Sequence, residues 1–136
     1  MRLVLDAEAM NALLDERHRA STRVRRALRA AHRLGRDVVV PTVILAELYR
    51  GAGHNHAVDS LLSREGGALL LRDTDRMFAR LVGGLLAEAR VGSRHLADAH
   101  VIAAAVESGG GVIVTGDPSD LTRLASPYRS VAIESV

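Results

Sequence analysis

Short apolar runs alternate along the chain with longer segments in which apolar residues recur at helical spacing. The runs predict strands at 2–6, 37–41, 68–71, 112–115 and 131–133. The periodic segments predict helices at 8–18, 20–34, 42–50, 54–64, 76–90 and 95–107, with a short helix starting at 118. This alternation is typical of an α/β fold, a central, mostly parallel sheet of about four to five strands flanked by helices. With no repeat, low-complexity segment or linker, we expect one domain over 1–136.

Composition excludes several classes of function. There is no cysteine, so disulfides, cysteine-zinc sites and thiol catalysis are excluded. The aromatic residues are only Tyr49, Phe78 and Tyr128, which argues against a single-strand binder that stacks bases on aromatic side chains. No apolar stretch approaches the roughly 20 residues of a membrane span, and no signal peptide is visible at the start of the sequence. We therefore expect a cytoplasmic protein with no membrane partner.

Four carboxylates lie in or beside apolar segments: Asp6, Glu47, Asp98 and Asp117. Ligands of open parallel sheets bind beyond the carboxyl ends of the strands, and all four acids can reach that edge. Ionised acids in apolar surroundings are costly unless a positive charge compensates them, and oxygen ligands suit Mg²⁺ or Mn²⁺. Each acid also has a simpler interpretation, as a helix cap, a dipole partner or one half of a surface ion pair. Their joint placement favours a metal-dependent enzyme.

The basic residues are concentrated in one segment. All 18 are arginines, and eight of them fall between positions 17 and 36, where there is no acid. Guanidinium groups bind phosphates bidentately, so this segment is a candidate RNA-binding surface, with Arg23, Arg26 and Arg33 as the residues to test. A solvated helix face is the alternative interpretation.

Four motifs in order carry a family resemblance. They are Leu3-Val4-Leu5-Asp6, Val40-Pro41-Thr42-Val43-Ile44-Leu45-Ala46-Glu47-Leu48, Leu96-Ala97-Asp98-Ala99-His100-Val101-Ile102-Ala103-Ala104-Ala105 and Val114-Thr115-Gly116-Asp117-Pro118-Ser119-Asp120-Leu121. Over essentially the whole chain the sequence resembles the PIN-domain ribonucleases, and among them the VapC toxins of bacterial type II toxin–antitoxin systems.

The resemblance implies a metal-dependent endoribonuclease. Its acidic ligands for Mg²⁺ or Mn²⁺ would be Asp6, Glu47, Asp98 and Asp117, with the Thr115 hydroxyl supporting the metal or its water. Asp120 matches a further acid of the last motif, although a role at a helix start is equally compatible with its position. The products would carry 5′-phosphate and 3′-hydroxyl ends. The resemblance also implies an RNA substrate, a homodimer and a cognate antitoxin that places a side chain in the acidic site.

The sequence departs from the family pattern after the first aspartate. A Ser or Thr is usual there, whereas this chain has Ala7 and Glu8. Glu8 either replaces the missing hydroxyl or favours the start of its helix. The histidines are not expected to be metal ligands; His95 and His100, five residues apart, do not share a helix face well.

Three other functions are compatible with parts of this pattern. A housekeeping RNA-processing nuclease would use the same acids, and a catalytically silent RNA-binding or scaffold domain would use only the arginines. A phosphate-accepting signalling domain normally requires a late lysine, and this chain has no lysine at all.

Overall fold

Strands and helices alternate in the computed structural model, which describes residues 1–136. The strands are β1 (Arg2–Leu5), β2 (Asp37–Pro41), β3 (Leu69–Arg72), β4 (Gly111–Thr115) and β5 (Val131–Ser135). The α-helices are α1 (Ala7–Leu14), α2 (Ser21–Arg33), α3 (Thr42–Leu48), α4 (Ala52–Arg64), α5 (Arg76–Ala89), α6 (Leu96–Val106) and α7 (Pro118–Ala125). A single 3₁₀ turn at Ser93–His95 precedes α6. None of the helices combines the length and the apolar character that crossing a bilayer requires.

The five strands form one parallel sheet in the order β3-β2-β1-β4-β5. Its central strands are buried because helices cover both faces, which is why β1, β2 and β4 are continuous apolar runs. Helix α6 is buried along Ala99–Ala105 and packs across β1, β2 and β4. The predicted α/β fold with a parallel sheet is confirmed. All strands point the same way, so Asp6 and Thr115 lie at one edge, the carboxyl edge.

The predicted helix over 8–18 is wrong at its carboxyl end, because α1 stops at Leu14. The Asp15 carboxylate accepts the Arg17 backbone N–H at 2.9 Å, and this side-chain bond competes with continuation of the helix. The next residues turn back, and His18 Nδ1 accepts the N–H of Ala20, just before α2. The turn returns the chain to the carboxyl edge of the sheet, beside Glu8.

One cluster of polar contacts joins distant parts of the chain around the only phenylalanine. Glu107, just after α6, accepts hydrogen bonds from Arg2 and Arg72, each at 2.7 Å. The Arg72 guanidinium lies 4.2 Å from the centroid of the Phe78 ring, and Phe78 packs edge-on against His100 with centroids 5.7 Å apart. Charge pairing and aromatic packing therefore tie β1, β3, α5 and α6 together.

Candidate metal centre

Asp6 begins the site because it is the last residue before α1 and the first after β1. Its Oδ1 accepts the Ala9 N–H at 2.9 Å and so caps α1. Burial raises the pKa of Asp6, and the nearby hydroxyl of the fully buried Thr115 opposes that rise. The Thr115 hydroxyl therefore supports the ionised form of Asp6, the form that a cation requires.

Asp98 lies in the first turn of α6, close to two other potential ligands. His95 Nδ1 is 3.8 Å from an Asp98 carboxylate oxygen and 4.0 Å from one of Asp120. The three residues offer ligand atoms that all lie within 4.8 Å of one another. Asp120 itself lies in the first turn of α7, so the amino ends of two helices face this cluster.

The charge around Asp98 shows that the acids from four parts of the chain converge. Burial is the largest cause of the raised pKa of Asp98, and the negative charge of Asp120 raises it further. Asp6 and Glu47 raise the pKa in the same direction, while His95 lowers it. Glu47 is exposed on α3 and contributes its charge from another side of the site. Asp6, Glu47 and Asp120 are thus all near enough to Asp98 for their charges to act on it.

His95 lies beside Asp98 and Asp120 with its side chain only 8% exposed. The Arg94 guanidinium approaches Nε2 at 3.5 Å, and because a guanidinium can only donate, Nε2 is the acceptor and the proton of the neutral ring is assigned to Nδ1. Nδ1 lies near both carboxylates but beyond hydrogen-bond distance of either.

Asp117 takes a different direction from its neighbour Asp120. Its carboxylate is exposed and accepts a hydrogen bond from Ser119 Oγ at 3.0 Å, while its backbone N–H donates to Thr115 Oγ1 at 3.0 Å. It is Asp120 that comes within reach of Asp98 and His95. The ligand role of Asp117 stays a prediction.

Glu8, the residue at the departure from the family pattern, is held beside Asp6. His18 Nε2 lies 2.9 Å from Glu8 Oε1, and because His18 Nδ1 is an acceptor, Nε2 carries the proton that is donated to Glu8. Gly116 lies directly against this side chain, and a Cβ there would overlap Glu8 Cγ. Glu8 also sits in the first turn of α1, where a negative charge favours the helix dipole. It is a packed residue between α1 and the end of β4.

The residues at the carboxyl edge fit a divalent cation. Burial, together with neighbouring negative charge, raises the pKa of Asp6 and of Asp98, so their ionised forms need a compensating positive charge. The ligand atoms here are mostly carboxylate oxygens, which suit Mg²⁺ or Mn²⁺ better than metals that prefer nitrogen or sulfur.

Replacing Asp98 by asparagine should raise the melting temperature of the metal-free protein near neutral pH. A pKa raised on folding means that the folded state favours the protonated acid, so stability is lost as the pH rises through the folded-state pKa. At neutral pH the ionised Asp98 therefore costs stability, and the neutral amide removes that cost. Thermal melting in chelator, at neutral pH and near pH 4, measures the effect, which should shrink at the lower pH.

The control for this melt is Asp37→Asn, an exposed acid at the start of β2 and at the opposite edge of the sheet. It should change the melting temperature little at either pH. Added Mn²⁺ or Mg²⁺ should stabilise the wild type more than Asp98→Asn, because an ion that binds only the folded state raises its stability. An Asp98→Asn variant that melts below the wild type at neutral pH would contradict the argument.

The comparison with family models agrees with this geometry. A model described as the PIN domain matches residues 3–126, most of the chain. The chain belongs to the PIN-domain family. Among solved structures, this PIN domain is similar to one described as VapBC2 from Rickettsia felis bound to a DNA fragment from their promoter. The TM-score is 0.69 and the identity 16%, with 100% of this chain and 99% of that chain covered. A search of curated proteins finds no match.

His95 is the site residue that sequence reasoning missed. The spacing of His95 and His100 does not predict a shared site, and His100 is indeed buried elsewhere, with its Nδ1 2.7 Å from the Leu96 carbonyl oxygen. The informative spacing is the one from His95 to Asp98, because residues three apart at a helix start share a face.

Proposed function

We propose that this PIN domain is a metal-dependent endoribonuclease and the toxin of a type II toxin–antitoxin module. The observation that carries the proposal is the cluster at the carboxyl edge, where ligand atoms of His95, Asp98 and Asp120 lie within 4.8 Å of one another and the charges of Asp6 and Glu47 also act on Asp98. A cluster of acids would repel a polyanionic substrate on its own, so the arrangement favours a site that works with a cation.

Each residue of the site has a distinct role in the proposal. Asp6, Asp98, Asp120 and Glu47 would hold the Mg²⁺ or Mn²⁺ ion, with Asp117 predicted as a further acid. Bound metal would lower the pKa of a water molecule and neutralise charge developing on the scissile phosphate. Thr115 opposes the rise in the pKa of Asp6, and His95 places a buried imidazole beside Asp98 and Asp120.

The partners follow from the same proposal. The similarity to the Rickettsia felis VapBC2 structure extends over nearly all of both chains, which supports a cognate antitoxin as the protein partner. The family resemblance also leads us to propose that the protein forms a homodimer. RNA is the proposed substrate, cut to leave 5′-phosphate and 3′-hydroxyl ends.

Cleavage of RNA by the purified, antitoxin-free protein tests the proposal. We expect cutting of structured RNAs in Mg²⁺ or Mn²⁺ and none in chelator, with fragments that a ligase can rejoin because they keep a 5′-phosphate. Folded protein that binds RNA with a steep salt dependence but cuts none of several RNAs would instead establish the silent RNA-binding domain. A gene for a small antitoxin beside this one would distinguish a toxin from a housekeeping nuclease.

A further inference from the structure

A cavity of about 490 Å³ lies along α2, on the side that faces β1, β4 and β5. We name it the arginine groove. Its wall carries Arg23 and Arg26 of α2 and, at the end next to the start of β2, Arg36. Ala27, Ala30 and Val112 contribute to its floor. Its volume falls in the range of ordinary ligand sites.

The three guanidinium groups of the wall are free. Arg23, Arg26 and Arg36 make no ion pair or side-chain hydrogen bond, and all three are exposed. Two other arginines nearby are already engaged: Arg2, which also lines the groove, binds Glu107, and Arg25 of α2 donates to the Leu13 carbonyl at 3.0 Å. The only acid of the groove is Glu134. The groove therefore presents an excess of unsatisfied positive charge to whatever enters it.

The groove runs along α2 between the two edges of the sheet. Arg23 lies in the first turn of α2, whose preceding residue Ala20 is hydrogen-bonded to His18 and through it to Glu8, beside Asp6. Glu134 and Ser135 end β5 at this same carboxyl edge. Arg36 directly precedes β2, so the end of the groove that Arg36 lines is at the amino edge of the sheet.

We propose that the arginine groove binds the phosphate backbone of single-stranded RNA, the substrate proposed for the acidic site. The inference rests on the proposed function, because it assigns the groove to the substrate of that site. Free guanidinium groups match phosphates in charge and in geometry. The aliphatic floor lacks an aromatic ring on which a base could stack, so the groove contacts the backbone and reads no sequence. Arg33, which the sequence suggests as an RNA-binding residue, does not line the groove, and Arg36 lines it instead.

The test measures binding of a fluorescein-labelled oligouridine in chelator, in an Asp98→Asn background, so that no cleavage takes place. The groove variant carries Arg23→Gln, Arg26→Gln and Arg36→Gln together. Its matched control carries Arg29→Gln, Arg64→Gln and Arg80→Gln, three exposed arginines outside the groove, so that the net charge changes equally. We expect the groove variant to lose at least about tenfold in affinity and about 2 units of the slope of log K against log salt. The control variant should lose much less affinity and much less of the salt slope.

Three results would overturn the inference. The first is equal loss in the groove variant and its control, which would reduce the effect to net charge. The second is displacement of the RNA from the wild type by low concentrations of tripolyphosphate, which would indicate a small-anion site. The third is loss of poly-L-glutamate binding by the groove variant while its RNA binding stays normal, which would assign the groove to an acidic polypeptide. A circular dichroism spectrum and melt of each variant exclude misfolding as the cause.

This test separates the groove from the proposed enzymatic function. Because binding is measured without metal or turnover, a protein that never cuts RNA can still show the groove effect. Conversely, metal-dependent cleavage together with equal binding by the groove variant and its control would retain the nuclease and exclude the groove.

Discussion

Replacing Asp98 by asparagine should lower metal-dependent RNA cleavage by about 10²–10³-fold, the usual cost of losing a group that stabilises the transition-state charge. Asp98 is close to Asp120 and His95 and feels the charges of Asp6 and Glu47, so its carboxylate lies at the centre of the proposed site. The amide keeps the shape of the side chain and removes the charge. Initial rates of cleavage in saturating Mn²⁺, compared with those of the wild type, measure the effect.

The control for this prediction is again Asp37→Asn, which should cleave at the wild-type rate. Metal titration of the Asp98→Asn variant separates weakened ion binding from a slower chemical step. A folded Asp98→Asn variant with wild-type activity would refute the proposed centre.

The same assay ranks Asp120 against Asp117. We expect Asp120→Asn to lose more activity than Asp117→Asn, because the Asp120 carboxylate lies 4.0 Å from His95 Nδ1 while the Asp117 carboxylate accepts from Ser119.

Replacing Phe78 by alanine should cost about 3–5 kcal/mol of the free energy of unfolding and lower the melting temperature by about 10–20 °C. Phe78 is 1% exposed, and no other phenylalanine is present to fill the space. Its loss leaves a cavity beside His100 and removes the aromatic face on which the Arg72 guanidinium lies. Urea denaturation and thermal melting measure the two quantities.

The neighbouring substitution Met77→Ala serves as the control, because Met77 is 70% exposed on the same helix. It should change stability by no more than about 0.5 kcal/mol. If Phe78→Ala cost less than about 1 kcal/mol, the packing between α5 and α6 would be far looser than the contacts of the ring indicate.

Much of the fold could be predicted from sequence because the periodicity reports burial directly. Strands β1, β2 and β4 have continuous apolar centres since both faces of the sheet are covered, and Gly51 and Gly109, both with positive φ, fall in the breaks between elements. The end of α1 could not be predicted in this way. It depends on the Asp15 carboxylate bonding to the Arg17 backbone, a competition that leaves no trace in the apolar pattern.

Some residues of the site could likewise be predicted from the sequence and others could not. The sequence indicates that Asp6, Glu47 and Asp98 reach one edge, because this follows from the order of strands and helices. It does not indicate whether Asp117 or Asp120 lies beside His95, since that depends on side-chain directions at the start of α7. It also misses Arg36 in the groove, because Arg36 lies beyond the end of α2, where helical spacing no longer applies.

The cap that Asp6 forms on α1 bears on the choice between magnesium and calcium. One oxygen of the Asp6 carboxylate is already engaged with the Ala9 N–H, so this side chain cannot offer both oxygens freely to an ion. Calcium favours six to eight ligands and often takes carboxylates in bidentate fashion, whereas magnesium accepts single oxygens in an octahedron and keeps several waters. For the proposed site we therefore expect tighter binding of the smaller ion, because the helix already uses one oxygen of its capping residue at the end of β1.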